Sequence, residues 1–154
     1  GARESGVPCG FMDELSIAAG VRVHALLSDC HTWTIDAVGL PDDAAIVVQF
    51  GQHRTLDGSE YATRVRECAS AERMIGPLRL ASLADVDRID DEVVRCRARH
   101  VVNENQRGRE FAVAMRTGDI AKAGRRMLDT HGCLRAGYGT SNPKKHAARA
   151  GVAA

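Results

Sequence analysis

Several familiar signals are missing from this chain of 154 residues. There is no Cys-x-x-Cys pair, and the five cysteines (Cys9, Cys30, Cys68, Cys96, Cys133) are odd in number and widely spread. Disulfide scaffolds and zinc sites need closer or even-numbered patterns, so the cysteines read as reduced, mostly buried thiols of a cytoplasmic protein. His131 and Cys133 lie too close along a helix to face one metal, and no other histidine has a spaced partner, so no metal site is expected. No apolar run reaches the roughly 18 residues of a membrane span, and no signal-peptide pattern is present, so no membrane partner is expected. Charge of one sign is scarce too. A formal net charge of +1 offers no footprint for nucleic acid or anionic lipid. Internal repeats and low-complexity tracts are also absent. The chain begins with Gly1 rather than Met, which reads as a fragment or processed product, and a monomer is expected.

What is present is ordinary globular composition, 44% hydrophobic and 27% charged, in a length sufficient for one domain with a real core. Arginines are interleaved with carboxylates, as in Arg64-Val65-Arg66-Glu67, the pattern of solvated helix faces.

Periodicity divides the chain in two. Val21 to Cys30 alternates toward a strand, with Val21, Val23, Ala25 and Leu27 on one face. Thr32 to Val38 is a second β-prone run, so 21–38 reads as two strands joined by a short turn. Pro41-Asp42-Asp43 marks a loop, and Ala44 to Val48 is a compact run consistent with a buried strand. After the turn-rich stretch Gly51 to Gly58, a helix is expected from about Ser59 with Ala62, Val65, Ala69 and Met74 at helical spacing, ending at Gly76-Pro77. Val93, Val94, Ala98, Val101, Val102, Phe111, Ala112 and Met115 predict a long amphipathic helix. Gly118 stops it, Asp119 caps the next, and Ile120, Ala123, Met127, Leu128 and Leu134 line that helix, giving an antiparallel hairpin. The last residues, 144–154, read as a frayed basic tail.

The most informative stretch is Gly6-Val7-Pro8-Cys9-Gly10-Phe11-Met12-Asp13-Glu14. Gly10 permits a tight turn, and Leu15 to Ala19 continues as helix until Gly20. Asp13 is thereby placed in a helix first turn, where the macrodipole favours an ionised carboxylate. Such a carboxylate can accept a proton from an attacking hydroxyl, although a first-turn Asp is also a common cap. The segment resembles the Gly-x-Pro-Cys-Gly-Ile-Met-Asp-Gln motif of the galactokinases, within the GHMP class of small-molecule kinases. Gly6, Pro8, Cys9, Gly10, Met12 and Asp13 match; Phe11 and Glu14 depart from it.

The likeness is collinear from residue 5 to 143. His24 to Cys30 resembles the family's strand after the catalytic helix. His53-Arg54-Thr55-Leu56-Asp57-Gly58-Ser59-Glu60-Tyr61, with Arg64 and Cys68, resembles its loop leading into a helix. Arg97 to Asn105, with Gly118-Asp119, resembles its C-terminal helical hairpin, and His131, Leu134, Arg135, Tyr138, Ser141 and Pro143 resemble the continuation.

The resemblance implies an α+β, GHMP-kinase-like two-lobed architecture, incomplete in this chain. Residues 1–43 would end the N-terminal, sugar-binding lobe, and 44–143 would form part of the C-terminal lobe. It implies transfer of the ATP γ-phosphoryl to the anomeric hydroxyl of galactose or a related sugar, with Mg2+ held outside this chain. Asp13 would be the catalytic carboxylate; Asp13, Tyr61, Cys9 and Gly10 would contact the sugar, and Thr55 would lie near the nucleotide. On spacing alone, Tyr61 reads first as a helix-start aromatic packed on the core with its hydroxyl at the surface, and Thr55 still more as a turn residue bonding its own backbone; only the resemblance places them at the site.

Three family features have no match in these 154 residues. They are the sugar-binding Gly-Arg-x-Asn-x-Ile-Gly-Glu-His-x-Asp-Tyr segment, the Gly-Leu-Ser-Ser-Ser-Ala phosphate loop, and a Gly-rich strand-forming segment near the family C-terminus. Gly108-Arg109 stands where the family usually has an aliphatic pair on the helix, and Ala136-Gly137 replaces an Asp-Asp pair. A sugar kinase fragment inactive by itself is therefore expected, the alternative being a non-catalytic galactokinase-like sensor or decayed remnant.

Overall fold

A computed structural model describes residues 12–42 and 59–134. The strand expected at 44–49 and the tail at 144–154 lie outside the described residues.

Helix α1 spans Met12–Ala19. Its end is fixed at Gly20, where a Cβ would stand 2.6 Å from the Ser16 carbonyl oxygen. The antiparallel pair β1 (His24–Asp29) and β2 (Thr34–Gly39) follows, in a register that sets His24 opposite Gly39 and Asp29 opposite Thr34. Asp29 holds the connecting turn by accepting from the His31 N–H at 2.9 Å. That bond, then one from Arg79, keeps its carboxyl below the usual carboxylate range. At the open end, the Leu40 N–H donates to the Val23 carbonyl at 3.0 Å. Val23 and Trp33 both adopt positive φ, 62° and 57°, conformations in which a β-branched or bulky residue is strained. The expected strand start is corrected accordingly. Val21 and Val23 belong to an exposed turn, while Ala25 and Leu27 keep the inward face assigned to them.

Helix α2 runs Ser59–Ile75 and stops at Gly76, whose φ of 82° is the left-handed value of a C-terminal glycine. Its seam is not the expected one. Ala71 is buried with Cys68 and Ile75 beside it, whereas Val65 and Met74 are 41% and 60% exposed. The short helix α3, Leu83–Val86, carries a reciprocal capping box. Ser82 Oγ accepts from the Asp85 N–H, and the Asp85 carboxylate accepts from the Ser82 N–H.

Helix α4, Glu92–Arg116, is the spine, about 37 Å long. Asp91 caps it by accepting from the Val94 N–H at 2.9 Å. It ends in a Schellman turn, with the Gly118 N–H on Met115 O and the Asp119 N–H on Ala114 O. Gly118 takes a φ of 71°, and Asp119 at once caps α5 (Ile120–Cys133) through the Lys122 N–H. The expected hairpin is therefore present, with α5 folding back along α4.

Among the described residues, two cores sit on this spine. Ala71, Leu78, Val86, Ile89, Val94 and Ala98 join α2, α3 and the first half of α4. Val38, Ala112, Ala114, Met115 and Ala123 join the β-pair, the second half of α4 and the start of α5. Across α2 and α4, Glu67 pairs with Arg64 at 2.9 Å and Arg97 at 2.8 Å. The Met127 and Leu128 expected inside α5's seam are 61% and 51% exposed, because Ala123 alone of that helix is buried.

Candidate functional site

Asp13 is the second residue of α1, in the helix first turn where the sequence places it, with its side chain exposed beside Glu14. A carboxylate there stands at the positive end of the helix dipole, suited to accept hydrogen bonds or a proton from a hydroxyl ligand. The helix itself buries no residue, and Met12 and Ile17 are 76% and 85% exposed. Among the described residues, then, the face of α1 that could lean on the rest of a site is open.

Tyr61 lies in the first turn of α2 and is 45% exposed. Asp13 and Tyr61 share no hydrogen bond among the described residues. Cys9, Gly10 and Thr55 lie outside those residues. Of the cysteines described, Cys30 is exposed and Cys68, Cys96 and Cys133 are half-buried, so Cys30 departs from the buried thiols expected.

A second cluster lies on the hairpin. His100 Nδ1 is 3.0 Å from Cys133 Sγ, and Glu104, one turn along α4, brings a carboxylate to the same place. Glu104 accepts from Thr130 at 2.7 Å and from Arg107, and Arg107 also donates to Cys133. Burial holds the His100 imidazole below the usual histidine range, with Glu104 acting in the opposite sense. The expectation that no histidine has a spaced partner is corrected here, because His100 meets Cys133 across the two helices and not along one of them. The signal was the hairpin itself, whose short Thr117-Gly118-Asp119 link sets 100 opposite 133 as it sets 104 opposite 130. Beside it opens a cleft of about 360 Å³ lined by Glu104, Arg107, Gly108, Phe111, Arg126 and Met127, among others. Arg126 Nε lies 2.7 Å from Glu110 there, but without the alignment of a hydrogen bond.

No family model matches the chain. It is 39% identical over 148 residues to the galactokinase of Bos taurus, covering 91% of this chain and 38% of that protein. The galactokinase of Roseiflexus sp. (strain RS-1) is 41% identical over 150 residues, covering 90% and 38%. Among solved structures, Lactococcus lactis galactokinase complexed with galactose superposes with a TM-score of 0.78 at 26% identity, over 92% of this chain and 40% of that one. The chain is homologous to the galactokinases.

It spans about two fifths of the length of these galactokinases, and its architecture is the corresponding part of their α+β, GHMP-type fold. The ATP·Mg2+ that the resemblance implies would need a phosphate cradle. Helix N-termini are the natural anion sites. Those of α3, α4 and α5 are already closed by Ser82 with Asp85, by Asp91 and by Asp119. Each cap accepts from one first-turn N–H, and the carboxylate of Asp85, Asp91 or Asp119 beside it repels phosphate. The described residues therefore do not fit ATP·Mg2+ at these ends. No helix among them is long and apolar enough to cross a membrane.

Proposed function

We propose that this chain is the part of an ATP-dependent sugar kinase that carries the catalytic carboxylate. The reaction is transfer of the γ-phosphoryl of ATP to the anomeric hydroxyl of galactose or a related sugar. Asp13 orients that hydroxyl and accepts its proton, Tyr61 borders the sugar together with Cys9 and Gly10, and Thr55 lies toward the nucleotide. ATP and Mg2+ are held by groups beyond the helix ends described above. The observation that carries this reading is the 39–41% identity to galactokinases over nine-tenths of the chain, with Asp13 standing exposed in the first turn of α1.

The lobes, 1–43 against 44–143, are proposed as a division of labour rather than of packing. Ala25, Leu27 and Val38 share one core with Ala112 and Met115, so the β-pair and the hairpin stabilise each other. The protein works in the cytoplasm as a monomer.

The test supplies the phosphate loop and then removes the carboxylate. Alone, the chain should form no sugar phosphate from ATP, magnesium and galactose. Joined behind a galactokinase N-terminal segment bearing Gly-Leu-Ser-Ser-Ser-Ala, it should turn over. Asp13→Asn should then lower kcat by about 10²–10⁴ with the KM for ATP little changed, the size expected for loss of general-base assistance. Turnover near the parent's in Asp13→Asn would assign Asp13 to capping and end this reading.

A further inference from the structure

We propose that His100, Glu104 and Cys133 form a binding site for one thiophilic divalent cation, zinc by preference, that pins α5 to α4. The site sits on different elements from Asp13 and does not depend on the kinase reading.

Three donors of different chemistry converge here from two helices. His100 and Glu104 are four residues apart on α4 and so share a face, and Cys133 arrives as the last residue of α5. One donor atom from each lies within 4.8 Å of the others. In a tetrahedral zinc site, bonds of about 2.0 and 2.3 Å put a nitrogen and a sulfur roughly 3.6 Å apart. His100 Nδ1 and Cys133 Sγ stand at 3.0 Å, so a modest opening of the pair admits the ion. That adjustment falls at the end of α5, where only the last turn must move.

The donor set also selects the ion. Mixed imidazole, carboxylate and thiolate ligation suits zinc, whereas magnesium and calcium take oxygen ligands. On binding, the Cys133 thiol gives its proton to solvent, and thiolate plus carboxylate balance the two charges of the ion. Arg107 is the competitor, since it now donates to both Glu104 and Cys133. It must release Cys133 when the ion enters, but it can stay on Glu104 together with Thr130, whose hydroxyl donates to that carboxylate. Those two bonds then orient the carboxylate from outside, as partners of metal ligands commonly do. Three protein ligands leave a fourth position for water.

The experiment titrates the reduced 154-residue chain with Co2+ and then displaces it with Zn2+. One equivalent of cobalt should bind with a thiolate-to-metal absorption band, and zinc should raise the Tm. Cys133→Ser should abolish the band and the zinc-dependent rise in Tm. His100→Gln should weaken metal affinity by at least about tenfold, a loss that even outer-shell changes reach. Because His100 is buried, its variant is checked by far-ultraviolet circular dichroism, and the half-buried Glu104→Gln gives the same reading if His100→Gln loses its fold. Exposed Cys30→Ser should keep both signals. Absence of a thiolate band in the parent chain, its survival in Cys133→Ser, or its loss in Cys30→Ser would each overturn the site.

Discussion

At its N-terminal half α4 packs branched side chains, and at its C-terminal half it packs mostly alanine. Ile89 and Val86, at 1% and 0% exposure, fill the first core against Val94 and Ala98. The second core relies on Val38 and Met115 set among Ala112, Ala114 and Ala123. The difference follows from what each half meets. The first is wrapped by α2 and α3, which leave room for large residues. The second has α5 on one side and the β-pair on the other, and small residues let α5 come close. Further along α5, Met127, which borders the cleft, and Leu128 stay more than half exposed.

The largest effect should come from the first core. Ile89→Ala removes a nearly sealed side chain and should cost about 2–5 kcal/mol. Val38→Ala in the second core removes fewer carbons and should cost less, at about 0.8 kcal/mol per buried methylene before any cavity contribution. Urea unfolding of both variants measures the gap, and equal losses would mean the two ends are not packed differently.

Next in size is the ion cluster of the first half, where two arginines share one carboxylate. Glu67→Gln should cost about 1.5–3 kcal/mol, the range for hydrogen bonds to charged groups, because Arg64 and Arg97 keep their charges with no carboxylate between them. Burial pushes the Glu67 carboxyl upward, but the Arg97 and Arg64 hydrogen bonds outweigh it and hold it below the usual glutamate range. A lowered folded value stabilises the protein above the ordinary glutamate pKa of about 4.3, and that stability is lost as pH falls through the folded value. Urea midpoints taken from neutral to acid pH should therefore fall less steeply in Glu67→Gln than in the parent chain.

Asp119→Ala tests the joint at the other end. The Schellman turn needs only backbone and Gly118, so α4 should still stop, while α5 loses its cap at about 1 kcal/mol. Amide exchange confined to the first turn of α5 would show that the two functions of this corner are separable. Faster exchange at the end of α4 as well would show that they are not.

Local signals in the sequence were the legible ones. Gly76 and Gly118 as stops, Asp119 as cap, the paired strands and the first-turn place of Asp13 each depend on a few neighbouring residues, and each stands where the residues put it. Faces were harder. In α2 and α5 the apolar residues are sparse, so several stripes fit a period of 3.6, and only tertiary contact chooses Cys68, Ala71 and Ile75 over Val65 and Met74. The stretch between Pro77 and Asp91 carried its signal in Ser82-x-x-Asp85, a capping box that went unread ahead of a four-residue helix. His100 and Cys133 could be joined only through the hairpin register. Asp13 itself needed the motif around it, since position alone does not separate a catalytic carboxylate from a cap.

The smallest effect should be a gain. Gly108 lies in the interior of α4, in the half that packs small residues, and borders the cleft on α5. A Cβ built there meets nothing within 4 Å, so Gly108→Ala removes the conformational cost of a helical glycine without a clash. The expected stabilisation is about 0.5–1 kcal/mol. It should appear in urea unfolding as a higher midpoint with an unchanged slope, because a single methyl on an open cleft alters neither core. A loss of stability instead would mean that α5 sits closer to α4 in solution than the open cleft indicates. The contrast between the two halves of the spine would then be one of residue size alone, not of space left unfilled.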